Sequence, residues 1–193
     1  MIYVTSDLHF NHDQPFIYEP RGFSSVEEMN EAIVERWNKI VTPSDTVIVL
    51  GDIMLGGPDK LQEGLDLVSR LNGILRLVRG NHDSDKRWMA LATMSKAAEL
   101  QDAMYFKYKK YHLYLTHFPC ITANLEKESI TQMTLNLYGH THQKDNFFEG
   151  RPYMYHVGCD SHNCTPVLLD DALKEMKEKF YEVKNNKLED EIE

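Results

Sequence analysis

Residues 134–143 read TLNLYGHTHQ: an apolar run through Leu135, Leu137 and Tyr138, then Gly139, then two histidines around a single threonine. On a strand, residues two apart share a face, so His140 and His142 can direct both imidazoles into one space. Neutral imidazole is the commonest metal ligand among side chains near neutral pH, but two of them do not complete a catalytic site. The remaining ligands must come from elsewhere in the chain, so the fold has to bring distant strand ends together.

The same order of strand and polar cluster recurs upstream. Short β-branched runs at Ile2–Thr5, Thr46–Leu50 and Ile74–Val78 read as buried strands. Asp7 and His9 follow the first, Gly51 and Asp52 the second, and Gly80, Asn81, His82 and Asp83 the third. Between them, Ser25–Val41 carries Val26, Met29, Ile33, Val34, Trp37 and Ile40 at helical spacing behind a Ser25–Glu28 capping box. Pro58–Leu71 predicts a second helix, stopped at Gly73. Strand and helix in alternation predict a parallel α/β sheet.

The second half differs. Ser84–Ala98 predicts a helix, and Ala103–Lys107, His112–Thr116, Thr134–Tyr138, Tyr153–Val157 and Val167–Leu169 predict strands whose short connections suit antiparallel pairing. His117 follows one of these strands, as His140 and His142 follow another. A charged helix starts at Asp170, with an acidic, frayed tail expected over 187–193. Every cluster stands at a strand's C-terminal end, the edge where α/β sheets bind ligands, so scattered residues converge on one site. Residues 1–193 read as one domain, with no internal repeat or low-complexity linker.

Composition narrows the partners. A chain of 193 residues with 42% hydrophobic content can bury a sizeable core. Its formal charge of -9 repels extended nucleic-acid duplexes and anionic membranes, and leaves short phosphorylated substrates open. Three cysteines, Cys120, Cys159 and Cys164, an odd number without CxxC spacing, argue against a disulfide framework and against a thiolate zinc site. No apolar run approaches the roughly 18 residues of a membrane span, and MIYVTSDLHF lacks a signal-like pattern, so a cytoplasmic location is expected. Trp37 reads as core. Lys107, Lys109 and Lys110 among Tyr105, Phe106, Tyr108 and Tyr111 read as a hairpin, not a single-strand binder. The absence of a Walker sequence argues against an ATPase.

Taken together, Asp-x-His at Asp7 and His9, Gly-Asp at Gly51 and Asp52, Gly-Asn-His-Asp at Gly80–Asp83, the lone His117 and Gly-His-x-His at Gly139–His142 resemble the calcineurin-like metallophosphoesterases. Order and spacing match over residues 7–142. The resemblance implies a four-layer α/β/β/α sandwich with mixed sheets and a dinuclear metal centre. It assigns Asp7, His9, Asp52 and His142 to one metal and Asp52, Asn81, His117 and His140 to the other, with Asp52 bridging and Thr141 pointing away. Carboxylate, amide oxygen and imidazole suit two divalent ions, manganese foremost, with iron, zinc and nickel as the other candidates. Two such ions offset phosphate charge and lower the pKa of a shared water, so that hydroxide attacks phosphorus. The resemblance makes His82 the residue that protonates the leaving oxygen or steadies the transition state.

In the Ser/Thr protein phosphatases of this superfamily, the second block supplies a further carboxylate and an arginine. Here GDIMLGG places Leu55 and Gly56 at those positions, which argues against a phosphoprotein substrate and leaves the orienting partner of His82 unidentified, with Asp83 a candidate by proximity in sequence alone. A further likeness, to small bacterial and phage phosphoesterases, rests on DLHFNH (7–12), LTHFP (115–119) and VGCDSHNCTPV (157–167). It sets His12, Asp160 and His162 beside the pocket as substrate-binding candidates. The expectation is a phosphodiesterase acting on a nucleotide-like or other small phosphoester. The alternatives are a phosphomonoesterase, a nuclease working with a partner subunit, and a protein-binding scaffold that has lost turnover.

Overall fold

A computed structural model describes residues 1–190. The three β-branched runs become β1 (Ile2–Thr5), β2 (Thr46–Leu50) and β3 (Ile74–Val78), parallel neighbours in a five-stranded sheet. A short helix, α1 (Pro15–Tyr18), and the longer α2 (Val26–Ile40) connect β1 to β2, and α3 (Leu61–Ser69) connects β2 to β3. The expected cap of α2 forms: the Glu28 N–H donates to Ser25 Oγ at 3.2 Å, and the Glu28 carboxylate accepts from the Ser24 N–H.

The helix expected over Ser84–Ala98 stops early. Only α4 (Asp85–Ala92) is helical, and Ala97–Gln101 form β4, parallel to β3. Alanine, glutamate and glutamine have little strand preference, so tertiary context decides here. The β3 edge offers unpaired backbone groups, and Glu99 meets Arg76 across the pair. On the other edge, β9 (Val167–Leu168) runs antiparallel to β1.

The second sheet corrects another expectation. Antiparallel pairing holds only for the hairpin of β5 (Ala103–Tyr108) and β6 (Tyr111–Thr116). β6 pairs in parallel with β7 (Thr134–Tyr138), and β7 with β8 (Met154–His156). The segments 117–133 and 139–153 lack a long helix but exceed the dozen residues that a parallel return needs. As a result β6 and β7 end at the same edge, the one their histidines follow.

Two cores hold the layers. Val26, Met29, Ile33 and Trp37 of α2, with Leu67 and Val68 of α3, pack on Val47, Val49, Leu75 and Leu77 of the first sheet. Trp37 is fully buried with its indole N–H on the Asn72 carbonyl, and such side chains contribute roughly 1.5–3 kcal/mol each by burial. On the opposite face, Val4, Ile48 and Leu50 meet Leu113, Leu115, Leu135 and Leu137 of the second sheet. The C-terminal helix α5 (Leu169–Asp190) adds Leu173, Met176 and Phe180 to this inter-sheet core. The architecture is α/β with two stacked mixed sheets. Helix α5 continues through Asp190, past the start of the tail expected to fray, and residues 191–193 lie outside the described residues. No helix among the described residues is long and apolar enough to cross a membrane.

β8 carries one unusual residue. His156 is fully buried, with Nδ1 on Ser161 Oγ at 2.8 Å and no partner for Nε2 among the described residues. Burial, with His162 nearby, pulls its imidazole down to about 3. An unfolded histidine takes up a proton near pH 6.5 while the folded one stays neutral, so this contribution to stability is lost as pH falls from about 6.5 towards 3. Urea titrations across that range should show a steeper loss for the native chain than for His156→Gln, by up to roughly 1.4 kcal/mol per pH unit.

Candidate metal centre

The loops after β1, β2 and β7 turn sharply at the shared edge. Asp7 (φ 57°), His9 (φ 53°), Asp52 (φ 53°), His140 (φ 69°) and His142 (φ 49°) all occupy the left-handed region, which non-glycine residues adopt only under constraint. The constraint is a set of hydrogen bonds between the loops. Asp7 N–H donates to the Gly51 carbonyl, His9 N–H to the Asp52 carbonyl, and His140 N–H to Asp7 Oδ2 at 2.9 Å. His140 and His142 therefore converge through a left-handed turn beyond the strand, and not through strand alternation. Thr141 between them turns aside to Gln143.

Two clusters result. In the first, His9 Nε2 lies 3.2 Å from His142 Nε2, 3.8 Å from Asp7 Oδ1 and 3.7 Å from Asp52 Oδ2. In the second, Asn81 Oδ1 lies 2.8 Å from His117 Nε2 and 2.9 Å from His140 Nδ1, with His117 Nε2 3.4 Å from Asp52 Oδ2. Asp52 touches both. The Asp7, His9 and His142 ligand atoms lie within 4.8 Å of one another, as do those of Asp7, Asp52 and His117.

The proton positions fit a cation. His117 Nδ1 sits 2.8 Å from the Leu50 carbonyl and His142 Nδ1 sits 2.8 Å from Asp160 Oδ2, so in each neutral ring Nδ1 carries the hydrogen. The Nε2 lone pairs then face the oxygens of Asn81 and Asp52, or another imidazole. Acceptors facing acceptors repel, and a divalent ion among them removes the conflict with ligand types suited to the harder first-row metals. The carboxylates respond to this environment. Burial pushes Asp7 up. Burial also works against Asp52, but His117, when a second proton occupies its Nε2, and the surrounding imidazoles hold it at about 2. Burial and Arg21 lower His9 well below its ordinary range. Burial opposes the charge of His142 as well, but Asp160 outweighs it and raises that imidazole.

Behind the first cluster stands a residue that sequence reading missed. Arg21 is buried and grips Asp160 twice, Nε to Oδ1 at 3.1 Å and Nη2 to Oδ2 at 2.8 Å, while also donating to the Asp7 carbonyl. Arg21 lies in a short turn far from any recognisable motif, so nothing in the sequence marks it. The arginine fixes Asp160, and Asp160 orients His142. Asp160 therefore stands as a support behind a candidate ligand.

The other expected site residues divide. His82 sits at the rim, 42% exposed, with Nε2 3.9 Å from Asp52 Oδ2 and its ring edge-on to His9. His12 lies beside it, 3.1 Å from His9 through the Nδ1 atoms. His162 is used elsewhere: its Nε2 bonds the His156 carbonyl at 2.8 Å and its ring stacks on Tyr155. Asp83 does not orient His82. Its buried carboxylate accepts from the N–H groups of Asp52, Ile53 and Gly80 at 2.8–3.1 Å, tying two site loops together.

Two stacked sheets thus gather carboxylates and imidazoles, donors of the kind that hold divalent metals, at one sheet edge. Residues 1–163 match the calcineurin-like phosphoesterase superfamily domain, and the chain belongs to that family. An uncharacterized protein of Methanocaldococcus jannaschii is 44% identical over 82 residues, 42% of this chain and 46% of that protein, so the match spans about half its length. The gene 66 protein of Mycobacterium phage D29 is 29% identical over 91% of this chain and 94% of its own. Among solved structures, a protein of unknown function from Aquifex aeolicus shares the fold, with a TM-score of 0.68 at 24% identity over 90% of this chain and 98% of that one.

Close approach at the centre depends on glycine. A Cβ at Gly139 would collide with the Ser6 hydroxyl and the Asp7 carboxylate, and one at Gly80 with Asp52. Gly139→Ala should therefore lower stability by about 1–3 kcal/mol, the usual cost of overpacking, as read by denaturant unfolding.

Proposed function

We propose that the chain is a phosphoester hydrolase using two divalent metals, with diesters preferred over monoesters. What carries this reading is the shared Asp52: one buried carboxylate lies against both ligand clusters, His9 with His142 on one side and Asn81 with His117 on the other. On this reading Asp7, His9, Asp52 and His142 hold one metal, and Asp52, Asn81, His117 and His140 the other. When bound, the pair would neutralise phosphate charge and lower the pKa of a water between them, with manganese the first ion to test.

The protein's own groups do the rest. His82 is aimed without being tied: its N–H donates to Asp52 Oδ1 at 2.8 Å and its carbonyl accepts from Arg87 at 3.1 Å, while the ring stays at the open rim. From there it donates a proton to the leaving oxygen, a role worth about a hundred- to ten-thousand-fold in rate. His12, beside it on the rim, contacts the substrate. Asp160 and Arg21 hold His142 in its tautomer.

Charge supports a diester. Arg21, Arg79 and Arg87 direct guanidinium N–H groups at Asp160, at Asp85 and the Asp83 carbonyl, and at the His82 and Gly56 carbonyls. A monoester's second negative charge gains little from arginines already engaged, whereas a diester carries one charge. A small phosphoester of the nucleotide type suits the open site, over which no cap lies among the described residues.

Manganese-loaded protein should cleave bis-p-nitrophenyl phosphate faster than p-nitrophenyl phosphate. Asp52→Asn should abolish cleavage and weaken binding of both metals, whereas His82→Ala should keep its metals and lose about a hundred-fold or more in rate. Equal metal loss in the two variants, read by calorimetry, would refute the assigned roles. Asp160→Asn should weaken manganese binding about 10- to 100-fold while the fold is retained by circular dichroism. Tight metal binding with neither ester cleaved would favour a non-catalytic scaffold.

A further inference from the structure

Beside the second ligand cluster lies a cleft of about 450 Å³ whose walls include Arg79, Asn81, Tyr114, Thr116, His117 and Phe118. Two of these walls, Asn81 and His117, belong to the candidate centre, so a group attached to a phosphate held there would project into the cleft. Its walls are mainly apolar, and its one cation, Arg79, already pairs with Asp85. Such a space suits an uncharged organic arm better than a second phosphate.

Phe118 gives the arm its shape. The ring stands edge-on to His117, with centroids 5.1 Å apart, and to His140 at 4.6 Å, yet it is 48% exposed. It follows the candidate ligand His117 directly in the chain, and its loop is pinned. Thr116 Oγ1 donates to the Phe118 carbonyl at 2.7 Å, and buried Asn136 accepts from the Cys120 N–H at 2.8 Å while donating to Thr116 Oγ1 at 2.9 Å. A half-exposed aromatic ring held at fixed orientation beside a polar centre is a preorganised stacking surface, and Tyr114 on β6 adds a second ring to the same cleft.

We propose that this cleft is a subsite for a planar heteroaromatic ring carried by the phosphoester, stacked on Phe118, and that the substrate is therefore a base-bearing nucleotide ester. The proposal rests on the phosphoesterase reading above for the position of the phosphate. Base-on-aromatic stacking is tolerant of base identity and suits an acidic protein that cannot attract nucleotides by surface charge.

The test compares adenosine 5′-monophosphate with ribose 5-phosphate, which keeps sugar and phosphate but lacks the ring, by calorimetry on manganese-loaded protein. The nucleotide should bind about ten-fold tighter or more. That ratio should fall towards one in Phe118→Ala and persist in Phe118→Tyr, which keeps the ring. Equal affinities in the native protein, weak or absent binding of both ligands, or a ratio unmoved by Phe118→Ala would overturn the subsite. A ring preference in a protein that cleaves no ester would sink the hydrolase reading and leave the subsite standing; ester cleavage without ring preference would do the reverse.

Discussion

Asp7 and Asp52 are buried carboxylates, with relative exposures of 0% and 1%, and His9, His117, His140 and His142 crowd the same space. Holding two like charges in a dry interior is costly unless they are paired, hydrogen-bonded or joined to a cation. Each carboxylate meets the cost differently. Asp52 keeps its charge through His117 and the backbone N–H of His82, whereas the deeper Asp7 is pushed towards its protonated form. A centre built this way is poised for positive charge, and the loops around it are shaped to keep it so.

The fold contributes edges. β1, β2 and β3 of one sheet and β6 and β7 of the other all run so that their C-terminal ends meet, and left-handed turns beyond β1, β2 and β7 aim side chains inward. Strained turns persist only where neighbouring structure overdetermines them. Here that support comes from hydrogen bonds between loops. Asp83 ties the β2 loop to the β3 loop, Asp7 ties the β1 loop to the β7 loop, and Arg21 clamps the far side through Asp160.

Net charge gives the site its selectivity problem. A protein of formal charge -9 repels phosphoesters in general, so recognition has to be local. On the proposed reading, the engaged arginines, the rim histidines His12 and His82 and the half-exposed Phe118 would meet one phosphate with concentrated charge and the attached organic group with apolar surface.

Much of this was legible in the sequence, because the chemistry is carried by residue type and local order. Asp7 and His9, Asp52, Asn81, His117, and His140 and His142 each follow an apolar strand, and the capping box and apolar stripe of α2 are local patterns that read directly. Other features depend on partners distant in the chain. β4 forms from helix-favouring residues because the β3 edge is open, and β6–β8 run parallel because long irregular segments return the chain. Asp83 proved to bind backbone N–H groups and not His82, Asp160 to support His142, and His162 to serve the β8 backbone, since each role depends on which groups lie within about 3 Å in space. Arg21, 139 residues from Asp160 and outside any motif, had no sequence signal at all. By itself the sequence determined the candidate ligand types and the strand ends that carry them; only the tertiary structure decided which atoms face each other, because hydrogen bonds and buried charge act through space and not along the chain.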